Sequence, residues 1–349
     1  MTSQQISQDE TLLGGYAYQI IRQQSKRIFK LRSQVLADQD MEALHEMRIG
    51  TRRLRAALAL FTDVVEIHSP ASGATQTLID QTLIDQTLID QNLTKGVGKL
   101  TKALGKVRDT DVMQQWLKTV MQTSLTDKKE KKTVRSLLKK LKKRRQKAFS
   151  HMEKFLKGKT YKTLKKQIKQ WVEQPTFSPT AQQPAAREAV TRIVEPINQL
   201  LQQPGWLIAT RKQRHQTMPS NDITLAELNQ LLAQEGAHLH SLRKQIKGIR
   251  YQMEFFRGLF DITYAAQVRE FRTLQNLLGQ LQDQLVIAQF FTDELGPEWP
   301  QQLPTIEAAF KTSRLALWQQ WQPYQDKYLK LRHHLPLHLP EMTPAVTAT

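Results

Sequence analysis

The stretches LHEMRIGTRRLRAALALF (residues 44–61) and LHSLRKQIKGIRYQMEFF (residues 239–256) are two copies of one pattern. An offset of 195 residues matches a histidine with a histidine and three basic residues with three basic residues. The matched residues are His45, Arg48, Arg52 and Arg55 in the first copy, and His240, Arg243, Lys247 and Arg250 in the second. Apolar residues recur between them at helical spacing, so the pattern predicts an amphipathic helix that occurs twice.

On a helix with about 100° per residue, the four matched residues of each copy fall within a stripe roughly 80° wide and about 15 Å long. Leucines of the first copy, such as Leu44 and Leu54, face the other way. Arg53 flanks the stripe in the first copy, and Lys244 joins it in the second. We call these sets the first stripe (His45, Arg48, Arg52, Arg53, Arg55) and the second stripe (His240, Arg243, Lys244, Lys247, Arg250).

Both stripes place like charges on neighbouring turns, which costs a few tenths of a kcal/mol per pair. An ordinary solvated face would include acidic residues, but Glu46 points away from the first stripe. A linear polyanion would relieve this repulsion, because arginine makes charge-assisted and often bidentate contacts with phosphate. The histidine can add a further donor. The stripes therefore predict a phosphate-rich polymer as ligand.

The overall charge agrees with a polyanionic partner. The chain has 349 residues, with 51 Lys and Arg against 32 Asp and Glu, for a net charge of +19. Residues 1–174 carry a net +17 and residues 175–349 only +2, and the segment 128–169 alone holds 19 basic and 2 acidic residues. This segment is either a further polyanion surface, which we favour, or a solvated helix. Its amphipathic pattern also suits an anionic membrane surface or nucleic acid.

Several classes of protein are excluded or disfavoured. The chain has no cysteine, which excludes disulfides and thiolate chemistry. It has no apolar segment of signal-peptide or transmembrane type, so we expect an intracellular, cytoplasmic protein. Glu42 and His45 have a spacing seen in metal-binding bundles, but the second copy has Ala237 in place of the glutamate. No P-loop or hydrolase motif is present, so we predict no metal, no cofactor and no catalysis.

A weaker repeat follows each stripe. LGKVRD at residues 104–109 resembles LGQLQD at residues 278–283, with Gln282 where the first copy has Arg108. The glycine predicts a close contact between helices. Asp109 and Asp283 are candidates to orient a stripe residue.

The rest of the chain has helical periodicity, so we predict an all-α fold of two helical bundles. The first bundle spans residues 1–174, the second residues 188–332, with a proline-containing linker at 175–187 and a flexible tail at 333–349. Helices are expected, among other places, at 41–67 and 205–217. The triple QTLID repeat at residues 76–90 has no helical or strand period, and we interpret it as an insertion in a surface loop, with a helical extension as the alternative.

The two stripe helices and the two Leu-Gly-x-x-x-Asp segments, in this order, resemble the CHAD family, the conserved histidine α-helical domains. The resemblance covers roughly residues 10–330. It implies two bundles related by pseudo-twofold symmetry, a central basic groove or pore, and binding of inorganic polyphosphate, in some members at polyphosphate granules. The glutamate-rich signature of the CYTH triphosphatases, to which some CHAD domains are fused, is absent.

The main functional prediction is therefore polyphosphate binding by the two stripes, with more weakly basic surroundings in the second. A nucleic-acid-binding protein using the same surfaces is the first alternative, although no RNA-binding motif is present. An enzyme accessory subunit or an undetected phosphatase is the second, and it would need carboxylates such as Asp109, Asp111 and Asp283 to hold metal ions. Further basic contacts are predicted at Arg22, Lys26, Lys102, Lys106, Lys139 and Lys143.

Overall fold

The computed structural model describes residues 11–67, 89–213 and 216–333. The fold is all-α, as predicted, with two short antiparallel strand pairs. In the part of the chain that is described, no helix is both long enough and apolar enough to cross a membrane. The helices are α1 (Leu13–Ala37), α2 (Met41–Leu60), α3 (Gln91–Thr123), α4 (Lys128–Lys157), α5 (Lys159–Glu173), α6 (Ala185–Leu201), α7 (Leu225–Phe255), α8 (Ile262–Leu295), α9 (Trp299–Gln302) and α10 (Pro304–Arg332).

The chain forms two compact units. The first comprises Met1–Gln114 and Lys140–Glu188, and the second comprises Gln115–Lys139 and Ala189–Thr349. This division differs from the predicted bundles, because residues 115–139 at the tip of the α3–α4 hairpin belong to the second unit.

Packing contacts explain why the tip of the α3–α4 hairpin belongs to the second unit. The Trp116 ring lies 5.4 Å from the ring of Phe310 on α10, between centroids. The buried carboxylate of Glu130 accepts a hydrogen bond of 2.8 Å from the backbone N–H of Thr305, in the first turn of α10. A carboxylate is stabilised at a helix N-terminus, where backbone N–H groups lack partners. Such long-range contacts leave no periodic signal in the sequence.

The first unit is centred on the pair α1–α2. Apolar residues of α1, such as Leu13, Ile21 and Ile28, are fully buried. At Gly50 of α2, an added Cβ would lie 3.1 Å from Ile28 Cγ1, so the glycine permits close approach of the two helices. The helix α2 ends at Leu60 rather than at residue 67, and Val65–Glu66 form the strand β1.

The predicted linker at 175–187 is ordered structure within the first unit. Its residues Thr176–Phe177 form β2, which pairs antiparallel with β1. A 3₁₀ turn at Pro179–Gln182 follows, and its Ala181 is buried against Gly14, where an added Cβ would lie only 2.7 Å from the alanine Cβ. The prolines thus shape a packed turn instead of a flexible connection.

Most of the QTLID repeat, residues 76–88, lies outside the described residues, as do residues 334–349 of the predicted tail. Its last two residues are described. Ile89 is buried and forms a bridge to Ile67, and the Asp90 carboxylate accepts from the backbone N–H of Asn92 at 2.7 Å, in the first turn of α3. The other carboxylate oxygen of Asp90 accepts from Gln167 Nε2 at 2.9 Å. The end of the repeat therefore anchors α3.

The prediction of a helix at residues 205–217 is wrong. Pro204–Leu207 form a 3₁₀ turn, and Thr210–Gln213 (β3) pair with Gln216–Pro219 (β4). Non-local hydrogen bonds hold this segment, since Gln325 Nε2 donates to the carbonyls of Trp206 and Ile208 at 2.8 and 2.7 Å. Ala209 has a φ of 53°, which ends any helical path there.

Candidate functional site

The first stripe lies on α2, and α2 packs against α1. The Asp40 carboxylate caps α2 by accepting from the Glu42 N–H at 2.8 Å. Met47 and Leu54 are buried on the opposite face, as the helical phase predicts. Glu46 forms a salt bridge with Arg27 of α1, so this carboxylate is held away from the stripe.

Arg48 is positioned by α3. Its Nη2 donates to Asp109 Oδ1 at 2.9 Å, and the arginine side chain is 17% exposed while the aspartate is 69% exposed. The nearest atom to a Cβ added at Gly105 would be Arg48 Nε, at 3.7 Å. The glycine therefore receives a guanidinium group, not the backbone of another helix as its sequence suggested.

The second unit repeats this arrangement. A Cβ added at Gly279 of α8 would lie 3.7 Å from both Nε and Nη2 of Arg243 on α7. Each unit thus has a stripe arginine lying over a glycine of the following long helix. The two arginines are 195 residues apart in the chain and the two glycines 174, so the recurrence does not follow from a single sequence offset. It reflects structure as well as sequence similarity.

The two stripe histidines have different surroundings. His45 is half-buried, and its Nδ1 is buried without a hydrogen-bond partner among the described residues. Burial lowers the pKa of His45, and the nearby positive charges of Arg108, Arg48 and Arg52 lower it further, while Glu42 opposes them. This imidazole is therefore neutral at neutral pH.

His240 is exposed, and its Nδ1 lies 3.0 Å from Oε1 of Gln282. Gln282 occupies the position of Arg108 in the first copy. The substitution exchanges a cation for a neutral amide that holds the histidine ring. The second stripe therefore has one fewer cation beside its histidine.

Arg250 does not have the predicted exposure. Arg55, its counterpart, is exposed on α2, whereas Arg250 is only 8% exposed. It forms a salt bridge with Glu254, and its Nε donates to Gln275 Oε1 at 2.8 Å.

Glu254 explains why Arg250 is buried. It stands one turn after Arg250 and also accepts from Arg272 at 2.8 Å. The matching residue in the first copy is Ala59, which offers no carboxylate. Arg250 is thus a structural residue, and a glutamate at i+4 was the sequence signal that could have identified it.

The other predicted cations are exposed, and they lie on three helices: Arg22 and Lys26 on α1, Lys102 and Lys106 on α3, and Lys139 and Lys143 on α4. Within the stripes, Arg52, Arg53 and Lys247 are half-buried and Lys244 is exposed. Lys139 belongs to the second unit, and the other five additional cations to the first. Asp283 is exposed on α8, and its orienting role stays a prediction.

Arg145 of α4 is a structural residue that sequence reasoning missed. Its guanidinium donates to both carboxylate oxygens of Asp38, at 2.6 and 2.7 Å, and its Nε donates to Asp111 Oδ1 at 2.6 Å. Hydrogen bonding to Asp38 is the largest of the effects that raise the pKa of Arg145. Asp111 is buried and paired with Arg145, so it serves the fold. Among the described residues, no group of three or more acidic or histidine side chains could hold a metal ion.

Comparison with known proteins places this geometry in a family. The model of the CHAD domain matches residues 19–79 and 81–292. The chain belongs to the CHAD domain family. A search of curated proteins found no significant match.

Two solved structures share the CHAD fold. The crystal structure of the CHAD domain from the plant Ricinus communis is 22% identical, with a TM-score of 0.55, over 96% of this chain and 95% of that one. PptA from Streptomyces chartreusis is 14% identical, with a TM-score of 0.53, over 93% of this chain and 97% of that one. At these identities the similarity establishes the fold alone.

Proposed function

We propose that this CHAD protein binds inorganic polyphosphate through the two stripes, Arg250 excepted, and does not transform it. The observation that carries the proposal is the recurrence, in each unit, of a cationic helix face whose central arginine lies over a glycine of the next long helix. A pure solvation role would not require the same arginine placement twice. Membership of the CHAD family supports the same ligand.

The chemistry of the stripes suits a chain of phosphates without bases or sugars. Guanidinium groups on consecutive helical turns can each donate two hydrogen bonds to the oxygens of one phosphate. Proteins that bind single-stranded nucleic acid commonly stack bases on exposed aromatic side chains, but Trp206 and Trp321 are buried and stacked on each other in the core. We therefore favour polyphosphate over nucleic acid. We also propose that this affinity directs the protein to polyphosphate granules in the cytoplasm.

Binding to a long polyphosphate at near-physiological salt, with single- and double-stranded DNA of equal charge as competitors, tests the proposal. The variants Arg48→Ala/Arg52→Ala and Arg243→Ala/Lys247→Ala each remove two stripe cations. The control Arg211→Ala/Lys212→Ala removes two exposed cations from β3. We expect polyphosphate to outcompete DNA, and about a tenfold or larger loss of affinity in each stripe variant only.

Equal competition by DNA, or an equal loss in the control, would show a general polyanion binder. Normal binding by both stripe variants would exclude the stripes as the site. Release of orthophosphate from polyphosphate, in the presence of Mg²⁺ or Mn²⁺, tests the proposed lack of catalysis. Release that depends on Asp109 or Asp283 would favour the phosphatase alternative.

A further inference from the structure

The second unit contains a cavity of about 250 Å³ that the stripes do not use. Residues of α7, α8, α9 and α10 line it. Its α7 residues, including Leu232 and Ala233, precede His240 by about two helical turns or roughly 10 Å. Ala233 and Lys311 are exposed at its edge, so the cavity opens to solvent.

Most of the cavity wall is apolar. Leu232, Trp299 and Phe310 are buried side chains that contribute to it, and Leu285 contributes as a half-buried residue. The rings of Trp299 and Phe310 are 6.3 Å apart and inclined by 70°, and both also pack against Phe291, so this part of the wall is an aromatic surface.

The polar groups of the wall leave one positive charge without a neutralising carboxylate. Lys311 and Glu307 form a salt bridge of 2.9 Å, so they neutralise each other. Arg314 is half-buried and donates from Nη1 to Oδ1 of Asn229, a neutral amide. Within the described residues, no carboxylate lies within salt-bridge distance of Arg314.

Burial lowers the pKa of Arg314, and the charge of Glu307 opposes this only in part. Arginine stays protonated at any physiological pH, so its charge persists in this partly dry site. A buried cation without an anionic partner is unfavourable, and a bound anion would compensate it. Arg314 is therefore placed to bind the anionic group of a ligand that fills the apolar cavity.

We propose that this cavity binds a small organic monocarboxylate, with its carboxylate on Arg314 and its apolar body against Leu232, Trp299 and Phe310. A monoanion matches the single uncompensated guanidinium. A phosphate dianion fits less well, because its second charge would lack a cation, since Lys311 is already paired with Glu307. The cavity volume is near the lower end of ligand sites, which limits the ligand to a small molecule.

Two pairs of probes test this site on the full-length protein: phenylpropionate with phenylpropionamide, and hexanoate with hexanamide. Ligand-observed NMR and calorimetric titration measure binding. We expect saturable one-to-one binding of at least one acid, with its amide about tenfold weaker or more, since hydrogen bonds to a charged donor exceed those to a neutral one.

Arg314→Met removes the charge at similar length, and Ala233→Leu fills the cavity mouth while keeping Arg314. Both are expected to weaken binding of the acid by about tenfold or more. Lys327→Met, which removes a cation of the same helix outside the cavity, is the matched control and should bind normally. If Arg314→Met does not fold by circular dichroism, Ala233→Leu and the amides still decide.

Failure of both acids to bind in the millimolar range, equal binding of acid and amide, or unchanged binding in Ala233→Leu would each overturn the proposal. Polyphosphate affinity should be unchanged in Arg314→Met, because the stripes do not include this residue. The proposal therefore stands or falls independently of the polyphosphate function.

Discussion

At the scale of single residues, the same side-chain type has different roles according to its partners. Arg48 lies over Gly105 and reaches the exposed Asp109, whereas Arg250 is buried with Glu254. Charge alone therefore does not identify a ligand-binding residue. The exposure of the carboxylate partner separates the two arginines, since the side chain of Asp109 is 69% exposed and that of Glu254 only 9%.

Arg145 is predicted to be the main ionic anchor of the first unit. Its replacement by alanine leaves the carboxylate of Asp111, with a side chain only 2% exposed, without its cation. Removing one partner of a buried pair costs about 3 kcal/mol. Urea unfolding should show this loss, while Lys143→Ala, at an exposed position of the same helix, should change the free energy of unfolding by less than about 0.5 kcal/mol. Equal stability of both variants would contradict the anchoring role.

His45 is predicted to link polyphosphate binding to protonation. Its pKa in the ligand-free protein lies below the usual 6.5, so the histidine destabilises the fold as the pH falls through this range, when the unfolded chain binds its proton more readily. A phosphate chain nearby would raise the pKa again. Binding should therefore take up a proton, and affinity should increase from about pH 8 to pH 6.

NMR titration of His45, with and without polyphosphate, measures this shift. His45→Gln keeps an amide donor but cannot titrate, and it should lose most of the pH dependence of binding. A pKa that polyphosphate leaves unchanged would place the ligand away from His45.

At the scale of elements, α2 and α7 have similar sequences but different neighbours. The helix α2 presents its stripe with Ala59 after Arg55, and α7 has Glu254 at the matching position, where α8 contributes Gln275 and Arg272. The second stripe therefore offers fewer accessible cations. This difference suggests that the first stripe contributes more to polyphosphate affinity.

Glu254→Gln is predicted to destabilise the α7–α8 pair without improving binding. The change leaves Arg250 and Arg272 without their shared carboxylate, at an expected cost of about 2–4 kcal/mol because Arg250 and Glu254 are about nine-tenths buried. Thermal and urea unfolding measure the loss. Glu235→Gln, at a more exposed position of α7, is the control and should have little effect. If Glu254→Gln unfolds like the wild type, the salt-bridge cluster is not structural.

At the scale of the whole molecule, charge is distributed unevenly. Residues 1–174 hold nearly all of the net positive charge, mostly in the segment 128–169, and the exposed lysines of α5 are part of it. Charges that do not contact a ligand still attract it over a Debye length of about 8 Å at physiological salt. They act on the rate of encounter more than on the lifetime of the complex.

The triple variant Lys159→Gln/Lys162→Gln/Lys166→Gln is therefore predicted to slow association with polyphosphate and to leave dissociation nearly unchanged. Stopped-flow mixing at low and high salt separates the two rates, and the difference from wild type should shrink at high salt. The variant Arg48→Ala/Arg52→Ala should instead accelerate dissociation. A faster dissociation in the lysine variant would mean that α5 contacts the ligand directly.

The sequence by itself determined the all-α class, the phase of both stripes and the solvated or buried side of each stripe helix. These properties follow from local helical geometry, since residues three, four and seven apart share a face whatever the rest of the chain does. Even the burial of Arg250 had a local signal in the sequence, the glutamate Glu254 one helical turn later.

Only the tertiary structure decided which residues of distant segments meet. It placed Arg145 between Asp38 and Asp111 and assigned residues 115–139 to the second unit. It also replaced the helix predicted at 205–217 by a turn, whose carbonyls accept from Gln325, and a following strand pair. The cavity beside Arg314 is likewise formed by four helices. Each depends on contacts between residues far apart in the chain, and the energy of such contacts is set by packing and desolvation that no local pattern encodes.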